Sequence, residues 1–254
     1  VGDPDSPIIA HLKIDTGMGR LGAPVEETEF VLQKLAESKS IKVEAVYSHF
    51  ATAEESDTQF RDSQMEQFHS IVKMAKEILP QTEYFHLANS SGILNYPDSH
   101  FNMVRPGISL YGVSPLGKPH INLKPVMKMK APVVLVKKMN AGKSVGYSRL
   151  FTLKQDENIA MVQAGYADGI PVEFTNNAMV EINGSNYPIV GKVSMDLIAI
   201  RCGETHIKEG DKVLFWGGSS AETRLENIAK KYNKIPYEFL TGVSARVKRN
   251  LINE

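Results

Sequence analysis

The sequence predicts an α/β protein in two parts, a parallel-sheet part followed by a mostly-β part. Three observations predict it. Through residue 112, apolar strand-like runs, glycine or polar loops and helix-spaced apolar residues alternate, which is the pattern of a parallel sheet. Polar and glycine residues gather just after each strand: Arg20, His49, Asn89, Ser90, Arg105 and Gly107. Between Ser114 and Pro125 come Pro115, Pro119, Pro125 and Gly117, and beyond this junction the texture becomes β-like. The division predicted is 1–122 and 123–254.

Each element has its own reason. Pro7 to Asp15 reads as a buried strand, apolar with few interruptions, ending in the three-glycine loop Thr16–Gly22. Pro24 stands where a helix starts, and Thr28, Val31, Leu32 and Leu35 follow at helical spacing. Val43 to Ser48 is a second strand that delivers His49. Phe68, Ile71, Val72, Ala75 and Ile78 share one face of a longer helix stopped by Pro80. Tyr84 to Leu87 is a third strand, and Asn89-Ser90-Ser91 is placed to cap a short helix. Met103-Val104 leads into Arg105 as a fourth strand, and Pro106-Gly107 turns the chain into the apolar Ile108–Gly112.

Beyond the junction, Val126–Lys130 alternates with a period of two. Val133–Lys138, Ile159–Gln163, Leu197–Arg201 and Lys212–Trp216 are strand candidates. Met179–Ile182, Asn183-Gly184 and Tyr187–Val190 make a hairpin signal. Thr223 and Glu226 are spaced as a capping box for a helix with Leu225, Ile228, Ala229 and Tyr232 on its inner face, and a shorter helix runs from Pro236 to Thr241 with Gly242 as its stop.

A complete (β/α)₈ TIM-type barrel takes about 250 residues. The parallel part here offers only a handful of strands, so it is either a small open sheet or part of such a barrel. A strand almost at the first residue favours a partial barrel. In either case the strand-following residues share the C-terminal face of the sheet, where active sites collect.

Twenty-nine basic and 29 acidic side chains give zero formal net charge, so neither nucleic acid nor an anionic membrane is indicated as a partner. No apolar run approaches the ~18 residues of a membrane helix. Cys202 is the only cysteine, which excludes an internal disulfide and a cysteine metal cluster and favours a reducing, cytoplasmic setting.

The stretch Asn102–Gly112, NMVRPGISLYG, suits anion work. Its arginine presents a rigid fork of donors, and a glycine two residues on lets backbone N–H groups approach a phosphate. By itself an Arg-Pro-Gly triplet is an ordinary turn; the other strand ends give it weight.

Eight stretches resemble the bacterial alanine racemases, fold-type III pyridoxal-phosphate (PLP) enzymes. They are HLKIDTGMGRLG (His11–Gly22), SHFATAEE (Ser48–Glu55), FHLANSSG (Phe85–Gly92), MVRPGISLYG (Met103–Gly112), VGYS (Val145–Ser148), GYADGIP (Gly165–Pro171), VGKVSMD (Val190–Asp196) and SARVKR (Ser244–Arg249). They occur in the family's order across essentially the whole chain. The resemblance implies a PLP-binding (β/α)₈ barrel joined to a β domain, an amino-acid substrate, and a homodimer with shared active sites. It implies D-alanine supply for peptidoglycan.

It also implies roles. Ser90, the backbone of Gly107 and Ile108, and nearby Asn89 would hold the cofactor phosphate. Arg105 would face the pyridine nitrogen; a permanent cation there keeps the ring a poorer electron sink. Arg20 would contact the phenolic oxygen of PLP and the substrate carboxylate, steadied by Lys13, either carbamylated or a plain buried lysine. His49 and His86 would form a relay with Arg105. Tyr147, from the other subunit, would be the catalytic base on one face of Cα, although taken alone it fits a β-domain core tyrosine better. A free phenol titrates near pH ~10, so nearby cations must make it more acidic. Met195 would offer its backbone N–H to the substrate, and Tyr166 would line the entrance.

The sequence departs from the family in two ways. No stretch resembles the KANAYGHG motif that carries the Schiff-base lysine, so the expectation is an N-terminally incomplete racemase, probed by an alanine assay, that cannot racemise alone. Ala245 stands where the family usually has a tyrosine, and Lys192 and Val172 where many members carry arginines. A serine or broad-specificity racemase is therefore one alternative. A catalytically silent PLP-binding or interaction protein is another, from a different class.

Overall fold

A computed structural model describes residues 3–252. The chain divides into two compact units, 1–110 and 111–254.

The first unit contains strands β1 (Ile8–Asp15), β2 (Ala23–Pro24), β3 (Ile41–Tyr47) and β4 (Tyr84–His86), and helices α1 (Thr28–Glu37), α2 (Gln59–Ile78) and α3 (Ser90–Asn95). The strands form one parallel sheet in the order β2-β1-β3-β4. Leu32 of α1 and Phe68, Ile71, Val72 and Ala75 of α2 pack with Ile14, Val43, Val46 and Phe85 of the sheet in one core. The periodicity that predicted both helices is therefore the periodicity of burial. Asn89 caps α3, its Oδ1 accepting from Gly92 N at 3.0 Å, as the Asn-Ser-Ser run predicted.

Several expectations are corrected. Among the described residues the parallel part is an open four-stranded sheet, and no eight-unit barrel is present. β1 is only partly buried, with Ile8 48% and Ile9 60% exposed. Pro24 pairs as the short strand β2, and a 3₁₀ turn, Val25–Glu27, precedes α1. Residues 102–106 form no fourth strand, and Ile108–Tyr111 is a 3₁₀ turn. The reason is a side chain. Asn102 Oδ1 accepts from Phe85 N at 2.7 Å and its Nδ2 donates to Glu83 O at 2.7 Å, so an amide group takes the place of a strand on the β4 edge. Pro106 also lacks a ladder donor.

The second unit is a closed six-stranded antiparallel barrel, β10-β11-β8-β5-β12-β9, with a small separate hairpin. Its elements are β5 (Met129–Met139), β6 (Ser144–Val145), β7 (Phe151–Thr152), β8 (Glu157–Val162), β9 (Met179–Ile182), β10 (Ser185–Val190), β11 (Ile198–Gly203), β12 (Lys212–Trp216), α4 (Leu225–Lys231) and α5 (Pro236–Thr241). Asn183 and Gly184, with φ of 50° and 80°, make the predicted two-residue turn between β9 and β10. The Thr223–Glu226 capping box does not form. Glu226, fully buried, instead accepts from Ser114 N at 3.0 Å and pairs with Arg224 at 2.9 Å. A buried carboxylate takes these donors in preference to its own helix end, because an unpaired buried charge costs far more than an uncapped N–H.

Candidate active site

In the first unit, three strands deliver side chains side by side at their C-terminal ends. Lys13 of β1 is in register with Tyr47 of β3, and Tyr47 with His86 of β4. The rings of Tyr47 and His86 stack, with centroids 4.8 Å apart and an interplanar angle of 16°. Arg105 reaches across these ends. Its Nη1 meets His86 Nδ1 at 2.5 Å and donates to His86 O at 3.0 Å. Its Nη2 donates to Ser48 O at 2.7 Å and Leu87 O at 3.3 Å and meets His49 Nδ1 at 3.2 Å. The guanidinium also lies 5.2 Å from the centre of the Tyr47 ring.

A guanidinium can only donate, so both imidazoles accept through Nδ1 and carry their proton on Nε2. Burial, then the Arg105 charge, lowers the pKa of each to about 4. Arg20 and Lys13 add further positive charge around His49, which places both within electrostatic reach of it. Burial likewise pulls the Arg105 guanidinium below its ordinary range. Near neutral pH the arrangement is a fixed cation between two neutral imidazoles. Among the described residues, His86 Nε2 is buried without a hydrogen-bond partner.

Beside this lies a small polar cradle. Ser90 Oγ accepts from Gly107 N at 2.9 Å and Ser109 N at 3.3 Å, and pairs with Ser109 Oγ at 3.1 Å. Two hydroxyls, with the Gly107 and Ser109 N–H groups that here serve Ser90 Oγ, form a donor set that suits a phosphate. Ile108, which follows Gly107, is fully buried, and Asn89 serves as the α3 cap.

Sequence reasoning missed the residues that hold this site in place. Gln64 of α2, with no exposed surface, accepts from Ala51 N at 2.9 Å and donates to His49 O at 3.1 Å and Thr16 Oγ1 at 3.3 Å. Thr16 Oγ1 in turn pairs with Ser48 Oγ at 2.7 Å. One glutamine thus joins the ends of β1 and β3. The available signal is a polar residue on the helix face that otherwise carries Phe68, Ile71 and Val72.

The second unit holds the other candidates. Tyr147 is 69% exposed and begins the 3₁₀ turn Tyr147–Arg149, where Ser148 and Arg149 take φ of 59° and 51°. The core-tyrosine alternative for it is thereby corrected. Tyr166 N donates to Ser194 O at 3.0 Å and Ala167 N to Met195 O at 3.1 Å, so Tyr166 and Met195 lie on adjoining segments. A Cβ on Gly165 would come within 2.2 Å of both those carbonyls, which explains glycine there. Arg246 binds the same two segments, Nε to Asp168 at 2.8 Å and Nη2 to Asp196 at 2.6 Å. Among the described residues no helix is long and apolar enough to cross a membrane, and no group of metal-ligating side chains is present.

Cations, neutral imidazoles and a hydroxyl-and-amide cradle give the parallel-sheet unit of this two-unit protein a candidate site whose chemistry suits a small anionic ligand. The alanine racemase N-terminal domain matches residues 3–115 and the alanine racemase C-terminal domain residues 126–251. The alanine racemase of Vesicomyosocius okutanii is 40% identical over 247 residues, 97% of this chain and 68% of its own length. That of Carboxydothermus hydrogenoformans is 38% identical over 244 residues, 94% of this chain and 66% of its own. Among solved structures, alanine racemase from Streptomyces coelicolor A3(2) superposes with a TM-score of 0.89 at 32% identity, covering 98% of this chain and 67% of that one. The alanine racemase of Bartonella henselae, whose crystal structure has covalently bound pyridoxal phosphate, gives 0.81 at 33% identity over 98% of this chain and 67% of that one. This chain belongs to the alanine racemase family. It spans about two thirds of the length of the relatives it matches.

Proposed function

We propose that the protein is an alanine racemase, a PLP-dependent isomerase that interconverts L- and D-alanine. The observation that carries the reading is Arg105, held by two neutral imidazoles and three carbonyls at the strand ends in a chain of this family. The residues present fit the cofactor. Ser90, Ser109 and the amides of Gly107 and Ile108 supply donors for a phosphate, and Arg105 supplies a cation beside an aromatic surface, Tyr47. When bound, PLP withdraws electron density from the substrate Cα and so makes its proton removable.

The side chains of this chain then have separate tasks. Ser90, Gly107 and Ile108, with Asn89 shaping the turn, bind the phosphate end. Arg105 fixes the ring, and its own geometry is fixed by His49 and His86. Arg20 binds the substrate carboxylate, and Lys13 of β1, plain or carbamylated, supports it. Tyr147, from a second copy of the chain, moves the proton on one face of Cα. Met195 offers its backbone N–H to the carboxylate, and Tyr166 narrows the approach. The base for the opposite face is not assigned to any residue of this chain. The open sheet corresponds to part of a TIM-type barrel, with the division between domains near residue 122; the setting is cytoplasmic and the assembly a homodimer.

The serine-racemase and non-catalytic alternatives find no support among the relatives, which are alanine racemases. The test is chiral analysis of alanine incubated with the full-length holoprotein and its Tyr147→Phe and Arg20→Ala variants. Turnover in the parent, collapse in Tyr147→Phe and a large rise in the KM for alanine with residual turnover in Arg20→Ala is the expected result. A parent no faster than free PLP overturns the reading.

A further inference from the structure

The loop after β1 folds around a single carboxylate. Asp15 ends the strand, and its Oδ1 accepts from the backbone N–H of Gly17 at 2.9 Å, Met18 at 2.7 Å and Gly19 at 3.1 Å. Its Oδ2 accepts from Arg20 N at 2.9 Å. Four consecutive amides can converge in this way because Gly17 and Gly19 take φ of 125° and 67°, turning the N–H groups inward. Gly22 closes the loop back onto β1; with φ of 120°, a Cβ there would sit 2.9 Å from Asp15 N and 3.0 Å from Lys13 O. Burial raises the Asp15 pKa, and the four N–H groups outweigh that and hold it below the ordinary carboxylate range. The carboxylate is therefore charged at any working pH.

Three of the four bonds shape the glycine turn. The fourth is different, because it ties down the backbone of Arg20. The Arg20 side chain has no carboxylate of its own to direct it among the ion pairs of the described residues, yet its charge reaches His49. A long, exposed side chain loses much conformational freedom when a ligand fixes it. Fixing its Cα beforehand reduces that loss.

We propose that Asp15 is a positioning residue for Arg20: its Oδ2 holds the backbone from which the guanidinium reaches toward the substrate carboxylate, while Oδ1 holds the turn. This rests on the reading of Arg20 as a substrate ligand. It makes recognition of the substrate's anionic end depend on a second carboxylate that never touches the substrate.

Asparagine separates the two functions. Asp15→Asn keeps one acceptor oxygen for Gly17, Met18 and Gly19, but its NH₂ faces the Arg20 N–H, donor against donor. In the full-length holoprotein, hydrogen exchange at Arg20 should speed up while Gly17 to Gly19 stay protected. The KM for alanine should rise roughly tenfold with kcat largely kept, as expected for a displaced binding group. Asp15→Ala should release all four amides. In an Arg20→Ala background, Asp15→Asn should add no further change in KM. Should Asp15→Ala fail to fold, Asp15→Asn still decides. Unchanged exchange at Arg20, a lowered melting temperature with KM unmoved, or an additive effect in the Arg20→Ala background each overturns the proposal. If the parent enzyme does not turn over alanine but Arg20 exchange still responds to Asp15→Asn, the functional reading falls and the positioning geometry stands.

Discussion

Nη1 of Arg105 lies 2.5 Å from Nδ1 of His86, and that contact fixes which nitrogen of the imidazole carries its proton. The same guanidinium serves His49 Nδ1 and the carbonyls of Ser48, His86 and Leu87. A lysine keeps the charge but has three donors on one nitrogen, too few and too close together for five acceptors. Each buried acceptor left without a donor costs about 1–3 kcal/mol. Arg105→Lys should therefore destabilise the protein by about 3 kcal/mol as well as slow racemisation. Urea denaturation measures the first effect, and an unshifted midpoint would count against the network.

Stability should depend on the two imidazoles in a defined pH window. In the unfolded chain histidine titrates near pH ~6.5. In the fold, burial and then Arg105 pull His86 and His49 down to about 4. Below the unfolded value the unfolded chain takes up protons that the folded one refuses. The contribution is thus complete above about pH 6.5 and is lost as pH falls toward about 4. For the buried His86 alone this corresponds to about 3 kcal/mol. Denaturation midpoints across the window should fall more steeply in the parent than in His86→Gln, and parallel curves would rule out the assignment.

Ser90→Ala removes the oxygen that accepts from Gly107 N and Ser109 N. Both amides then lack their partner, and one hydroxyl donor to the cofactor phosphate is gone. Cofactor affinity should drop about tenfold, the effect of a single lost hydrogen bond to a charged group. Fluorescence titration of the apoprotein with PLP would measure it.

Arg246 joins Asp168 and Asp196, and hence the segments carrying Tyr166 and Met195. Lysine offers a single nitrogen in place of the separate Nε and Nη2 that reach Asp168 and Asp196, and lacks the rigid spread of the guanidinium fork. Arg246→Lys should raise the KM for alanine a few-fold, leave the melting temperature nearly unchanged because the pair is exposed, and speed hydrogen exchange at residues 165–168 and 194–196. Unaltered exchange in both segments would show that the clamp is not what holds them.

Much of this protein is written locally. The helical period of Phe68, Ile71, Val72 and Ala75, the Asn89 cap and the Asn183-Gly184 turn each specify their structure through neighbours in sequence, and each forms as expected. Local chemistry also marks the loops that follow strands, so Arg20, His49 and Ser90 stand out as candidates without coordinates, and Arg105 stands out through its Pro-Gly turn although no strand precedes it. Contacts between distant side chains were decided only by the tertiary structure. Asn102 replaces a fourth strand because its amide happens to meet the free edge of β4. Glu226 abandons its capping role because folding buries it beside Ser114 and Arg224. Gln64, 15 and 48 residues from its partners His49 and Thr16, becomes a tie between strand ends, and two ordinary histidines become weak bases. The physical reason is common to all four. Propensity and periodicity act over a few residues, whereas desolvation and buried hydrogen bonding depend on what the completed fold places alongside.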